Sequence, residues 1–136
     1  MDREYLSERE ANNYSPLSLA FLGDSVYDTL VREHLLRRAN MPASKLHSAK
    51  IKLVCAEFQS SAYDVLSAQL TEHELSVLKR GRNATGNTVP KHAEAAQYRR
   101  ATAVESLFGY LFLTGQEERI RELFAVIMST EESSNG

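Results

Sequence analysis

Leu17-Ser-Leu-Ala-Phe-Leu-Gly-Asp-Ser-Val-Tyr-Asp-Thr-Leu-Val31 sets an aspartate, Asp24, in an apolar stretch with helical spacing. Leu22, Val26 and Leu30 form one row; Tyr27, Val31 and Leu35 form the adjacent one. Ser15 suits an N-cap and Pro16 a first helical turn. The helix should run to about Arg38, where Arg37 and Arg38 oppose the dipole, and stop at Asn40-Met41-Pro42. A second stretch, Ala101-Thr-Ala-Val-Glu-Ser-Leu-Phe-Gly-Tyr-Leu-Phe-Leu113, has polar side chains only at Thr102, Glu105, Ser106 and Tyr110. A helix apolar nearly all round belongs at the centre of a fold. An unpaired ionised carboxylate there costs several kcal/mol or takes up a proton. Glu105 therefore meets an arginine such as Arg32 or Arg99, or a divalent cation. For Asp24 the choices are the same cation or an exposed position near Arg32. Asp28 with Arg32 reads as an ordinary surface pair.

The rest of the chain is helical too. Leu46, Ala49, Leu53 and Ala56, continued by Val54, Phe58, Val65 and Leu66, predict one long helix from Ala43 to about Gln69. Thr71 with Glu74 reads as a capping box for a helix ending at Arg80-Gly81. Residues Arg82 to Val89 read as a loop, and Pro90 opens a helical stretch interrupted near Gln97. Ile120, Leu123, Phe124 and Ile127 give a last helix from Glu117 to about Met128. Residues 130–136 read as a disordered polar tail. No strand-like alternation appears. The expectation is an all-α fold of six or seven helices, with one domain over residues 1–129.

A chain of 136 residues can build one proper core. No apolar run approaches the roughly 20 residues that span a bilayer. The charged N-terminus lacks an export signal. Cys55 is the only cysteine, and His34, His47, His73 and His92 lack metal-ligand spacing. These features fit a cytoplasmic protein away from membranes. The net charge of −2 hides a local excess: Lys79, Arg80, Arg82, Lys91, Arg99 and Arg100 stand against Glu94 alone. An acidic site near a basic segment suits a phosphodiester substrate.

Leu19-Ala-Phe-Leu-Gly-Asp-Ser-Val26 resembles the signature helix of the ribonuclease III family, in which a Leu-Gly-Asp-Ala/Ser-Val core presents a metal-binding aspartate. Ala103-Val-Glu-Ser-Leu-Phe-Gly-Tyr110 resembles that family's second acidic helix. The Mini-ribonuclease III branch is a closer match. It covers Ser18 to Asp24, Val31 to Leu36, Leu78-Lys-Arg-Gly-Arg-Asn-Ala84, Val89-Pro-Lys91 and Tyr98 to Leu113, in order. Full-length ribonuclease III carries a glutamate where this chain has Ala20 and an aspartate where it has Thr102. Two carboxylates thus remain of four, a reduction the Mini branch shares. The same branch resemblance leads us to expect no double-stranded-RNA-binding domain of the kind that usually follows in ribonuclease III.

The resemblance implies a metal-dependent endoribonuclease that cuts double-stranded RNA. Asp24 and Glu105 are the expected catalytic and metal-binding residues, for Mg²⁺ with Mn²⁺ as a substitute. Lys79, Arg80, Arg82, Asn83 and Lys91 are the expected RNA contacts, and Glu57 is a weaker acidic candidate. The resemblance further implies a homodimer with two sites on one duplex. It points to the precursor of the large-subunit (23S) ribosomal RNA as substrate, with a ribosomal protein as a candidate partner. The competing reading is a non-catalytic helical RNA-binding protein that assists ribosome assembly, with Asp24 and Glu105 structural.

Overall fold

A computed structural model of the protein describes residues 3–84 and 94–135, with side chains up to Glu131. The described residues form seven helices and no strand: α1 (Glu8–Asn12), α2 (Pro16–Arg38), α3 (Ala43–Val54), α4 (Ala56–Ser67), α5 (Glu72–Asn83), α6 (Ala95–Leu113) and α7 (Glu117–Asn135). α6 is the central post. From Ala101 to Leu111 every residue except Glu105 is buried. α2, α4 and α5 pack around it, and α7 closes the bundle against α4 and α6.

α2 turns a row of small and aromatic residues inward: Leu19, Gly23, Tyr27, Val31 and Leu35, four apart, with Ala20 beside them. Its N-terminus is capped as expected, Ser15 Oγ accepting from Ser18 N–H with Pro16 following. The second row, Leu22, Val26 and Leu30, is only half-buried, and Phe21 is 85% exposed. α2 crosses α6 at backbone contact. A Cβ on Gly23 would collide with the Glu105 carbonyl oxygen, and one on Gly109 with that of Leu19. Tyr27 meets Phe108 edge-on beyond the crossing.

The expected helix from Ala43 to Gln69 is two helices. Cys55 adopts extended backbone angles (φ −69°, ψ 157°) and separates α3 from α4. A break strands carbonyls that a continuous helix would satisfy. Here Tyr27 Oη donates to Leu53 O at 2.7 Å and Gln59 Nε2 donates to Val54 O at 2.9 Å.

Four other boundaries differ from expectation. α5 begins at the predicted Thr71–Glu74 capping box but runs on to Asn83, so Arg82 and Asn83 are helical. α6 shows no interruption near Gln97. α7 continues to Asn135, past the expected end near Met128. Arg38 holds Glu131 at 3.6 Å and ties this extension to α2. α1 was not expected, although Ser7 and Glu10 form a complete capping box. Pro90 and residues 85–93, including the expected RNA contact Lys91, lie outside the described residues.

The crossing makes a stability prediction. Gly23→Ala should cost about 3 kcal/mol or more, because backbone rather than a flexible side chain must yield. Urea unfolding measures this; an unchanged midpoint would mean that the two helices are not in backbone contact.

Candidate active site

The crossing places the two carboxylates that stood out in the sequence. Asp24 follows Gly23 and is exposed, while Glu105, the one residue between Ala101 and Leu111 that is not fully buried, lies directly across the contact. Their carboxyl groups are within hydrogen-bonding reach of each other. Among the described residues neither makes an ion pair; Arg32 is held instead by Asp28 at 2.7 Å, as the sequence spacing indicated. Burial first, and then the hydrogen bond and like charge of Asp24, push Glu105 from the usual 4.5 up to about 9. A smaller opposing effect comes from Gln59 on α4, whose nearby amide favours the ionised carboxylate.

The neighbours add no further carboxylate. Ala20 is buried, and Thr102 Oγ1 donates to Tyr98 O in its own helix at 3.0 Å. No group of three or more His, Cys, Asp or Glu is arranged to hold a metal among the described residues. Glu57 is exposed on α4, two residues from Gln59. The donor set is thus two hard carboxylates whose mutual repulsion a cation would relieve. That fits Mg²⁺, which commonly takes one or two carboxylates and fills its remaining positions with water and phosphate.

A basic cleft lies on the α5–α6 side. The two helices approach closely at Gly81, where a Cβ would sit 2.9 Å from Ala103 Cα. Arg82 and Asn83 on α5, with Ala96, Arg99 and Arg100 on α6, line a cleft of about 310 Å³. Arg82 Nη1 donates to Tyr63 Oη at 2.9 Å, and the Arg82 and Arg100 guanidiniums each lie 5.9 Å from the Tyr63 ring centre. Among the described residues none of these three arginines has an acidic partner. Of the expected RNA contacts, then, Arg82 and Asn83 come together. Arg80, two residues from Arg82 and so on another face of the helix, reaches Asn12 at 3.3 Å instead. Lys79 is exposed outside the cleft. Arg99 and Arg100, counted in the basic segment but not among the expected RNA contacts, line the cleft too; Tyr63 and Gln59 were not foreseen.

The Glu105 proton makes stability depend on pH. Between about 4.5 and about 9 the native state keeps a proton that the unfolded chain has lost. Metal-free protein should therefore lose stability as pH rises through that window, by up to about 1.4 kcal/mol per pH unit, and Glu105→Gln should remove most of the slope. Urea unfolding in chelator across the window tests this; identical slopes for both proteins would contradict the buried, proton-bearing Glu105.

Comparison with known proteins gives a consistent picture. The Ribonuclease III domain matches residues 17–116, which include both carboxylates and the basic cleft. Mini-ribonuclease 3 of Brevibacillus brevis is 44% identical over 131 residues, 93% of this chain and 97% of that protein. Mini-ribonuclease 3 of Staphylococcus aureus is 36% identical over 85% of this chain and 87% of its own. The crystal structure of a Fusobacterium nucleatum protein, 29% identical, superposes with a TM-score of 0.79 over 88% of this chain and 95% of its own. With an all-helical fold of this shape and sequence similarity along almost its whole length, the chain belongs to the ribonuclease III family, in the Mini-ribonuclease 3 group.

Proposed function

We propose that this protein is a divalent-metal-dependent endoribonuclease that hydrolyses double-stranded RNA. The observation that carries this reading is the Asp24–Glu105 pair, two facing carboxylates with no cationic side chain between them among the described residues. Asp24 and Glu105 would hold Mg²⁺, or Mn²⁺ in its place. The bound ion would lower the pKa of a water and neutralise charge on the scissile phosphate. Asp24 lies at the solvent-facing edge of the site, where substrate arrives, and the apolar crossing beneath Glu105 excludes bulk water. Arg82, Arg99 and Arg100 would hold backbone phosphates, with Tyr63 keeping two of the guanidiniums in place. Phosphate and shape contacts suit duplex RNA, whose major groove is too narrow for side chains to read. Lys91 stays in this proposal on the strength of the resemblance alone.

A homodimer completes the reading. Phe21 projects from α2 beside a cleft of about 410 Å³ lined by Leu22, Val26, Leu30, Phe112 and Ile120. A projecting ring next to an apolar cleft is self-complementary about a two-fold axis. No helix among the described residues is long and apolar enough to cross a membrane. The resemblance supports the precursor of the 23S ribosomal RNA as the substrate, processing in the cytoplasm and a ribosomal protein as accessory partner.

Three experiments test the proposal. With Mg²⁺ and a structured duplex RNA, wild type should cut both strands. Asp24→Asn should bind the duplex but cut it more than a hundredfold more slowly. Replacing Arg82, Arg99 and Arg100 by Ala should weaken binding and lower its salt slope by about one for each phosphate that is no longer neutralised. Binding without cleavage by wild type, over several divalent metals, would favour the non-catalytic RNA-binding protein. In sedimentation, Phe21→Asp should convert a dimer to a folded monomer; an unchanged dimer would place the interface elsewhere.

A further inference from the structure

Gln59 is buried at 2% exposure beneath the two carboxylates. It lies on the face of α4 that also buries Ala62, Tyr63 and Leu66. Its Nε2 donates to Val54 O at 2.9 Å, and the same amide lies within hydrogen-bonding reach of Glu105. The Val54 carbonyl can only accept, which fixes the amide: the nitrogen faces it and Oε1 cannot. Oε1 is buried with no hydrogen-bond partner among the described residues. Such orphans are rare in folded proteins and mark places where a water or ion belongs. Donation to the freed Val54 carbonyl accounts for Nε2 but leaves the buried Oε1 without a structural role.

We propose that Gln59 is a positioning residue of the metal site: Nε2 holds the Glu105 carboxylate in its ionised, ligating orientation, and Oε1 accepts a hydrogen bond from a water of the cation's hydration shell. Mg²⁺ keeps several of its waters, and each brings protons that need an acceptor. The two amide atoms share one carbon, so the orphaned acceptor is adjacent to the carboxyl that Nε2 serves. Groups that orient ligands in this way typically change metal affinity ten- to a hundredfold. This inference rests on the reading that Asp24 and Glu105 bind a divalent cation.

The test uses Mn²⁺ alone, with the full chain and no RNA, and reads binding by water-proton relaxation. Wild type should bind Mn²⁺, and Asp24→Asn should abolish that binding. Gln59→Met should weaken it ten- to a hundredfold in the folded protein, and losing the Val54 hydrogen bond should lower its metal-free melting temperature without unfolding it. Gln59→Asn, which keeps the amide but draws it back by one methylene, should do the same and serves if the Met variant does not fold. Wild-type Mn²⁺ affinity in either folded variant overturns the role of Gln59 and leaves the metal site standing. Failure of both variants to fold would mark Gln59 as structural and overturn the proposal. If wild type shows no Asp24-dependent Mn²⁺ binding, the proposal and the metal reading fall together.

Discussion

At the crossing of α2 and α6, two helices touch through backbone because Gly23 and Gly109 carry no side chain. Glycine inside a helix ordinarily weakens it by about 1 kcal/mol relative to alanine. Here that weakness is offset by contact between the helices, which lets the inward row of α2 interlock with the most buried part of α6. The same contact decides the chemistry. Asp24 is the residue after one glycine, and Glu105 lies one turn before the other. Helices held a side chain further apart would separate the carboxylates and leave each to solvent.

Bringing the two acids together creates an electrostatic strain that nothing in the described protein relieves. Among the described residues no arginine or lysine pairs with either, and burial together with Asp24 drives Glu105 toward its neutral form. Sites with this pattern are more often functional than structural. Gln59 favours the ionised form, and Arg82, Arg99 and Arg100 line a separate basic cleft between α5 and α6. The site is therefore poised between a protonated state without metal and an ionised state with it.

Much of this was legible in the sequence. The caps at Ser15 and Thr71, the inward row on α2, and the nearly all-apolar α6 with a carboxylate at Glu105 all rest on local signals that the fold respects. What escaped depended on contacts between distant residues. No proline or glycine marks the break at Cys55; it is stabilised by Tyr27 and Gln59 reaching across to the freed carbonyls. Gly81 looked like a helix stop but serves close packing against Ala103 and Ser106, so α5 continues through Asn83. Arg80 and Arg82 looked equivalent until the helix turned them to different faces. Gln59 did carry a signal: with Ala62, Tyr63 and Leu66 it heads an i, i+3, i+4, i+7 buried stripe, where a polar residue asks for a reason.

If the glycine crossing assembles a two-carboxylate metal site, a cation offered to the folded protein should settle on it. Diffraction from crystals soaked in Mn²⁺, recorded for anomalous scattering, reads this out. A strong peak coordinated by both Asp24 and Glu105, absent in Asp24→Asn crystals, is the expected result. Carboxylates found apart, or Mn²⁺ bound elsewhere with this pair still sharing a proton, would show that the crossing serves packing alone.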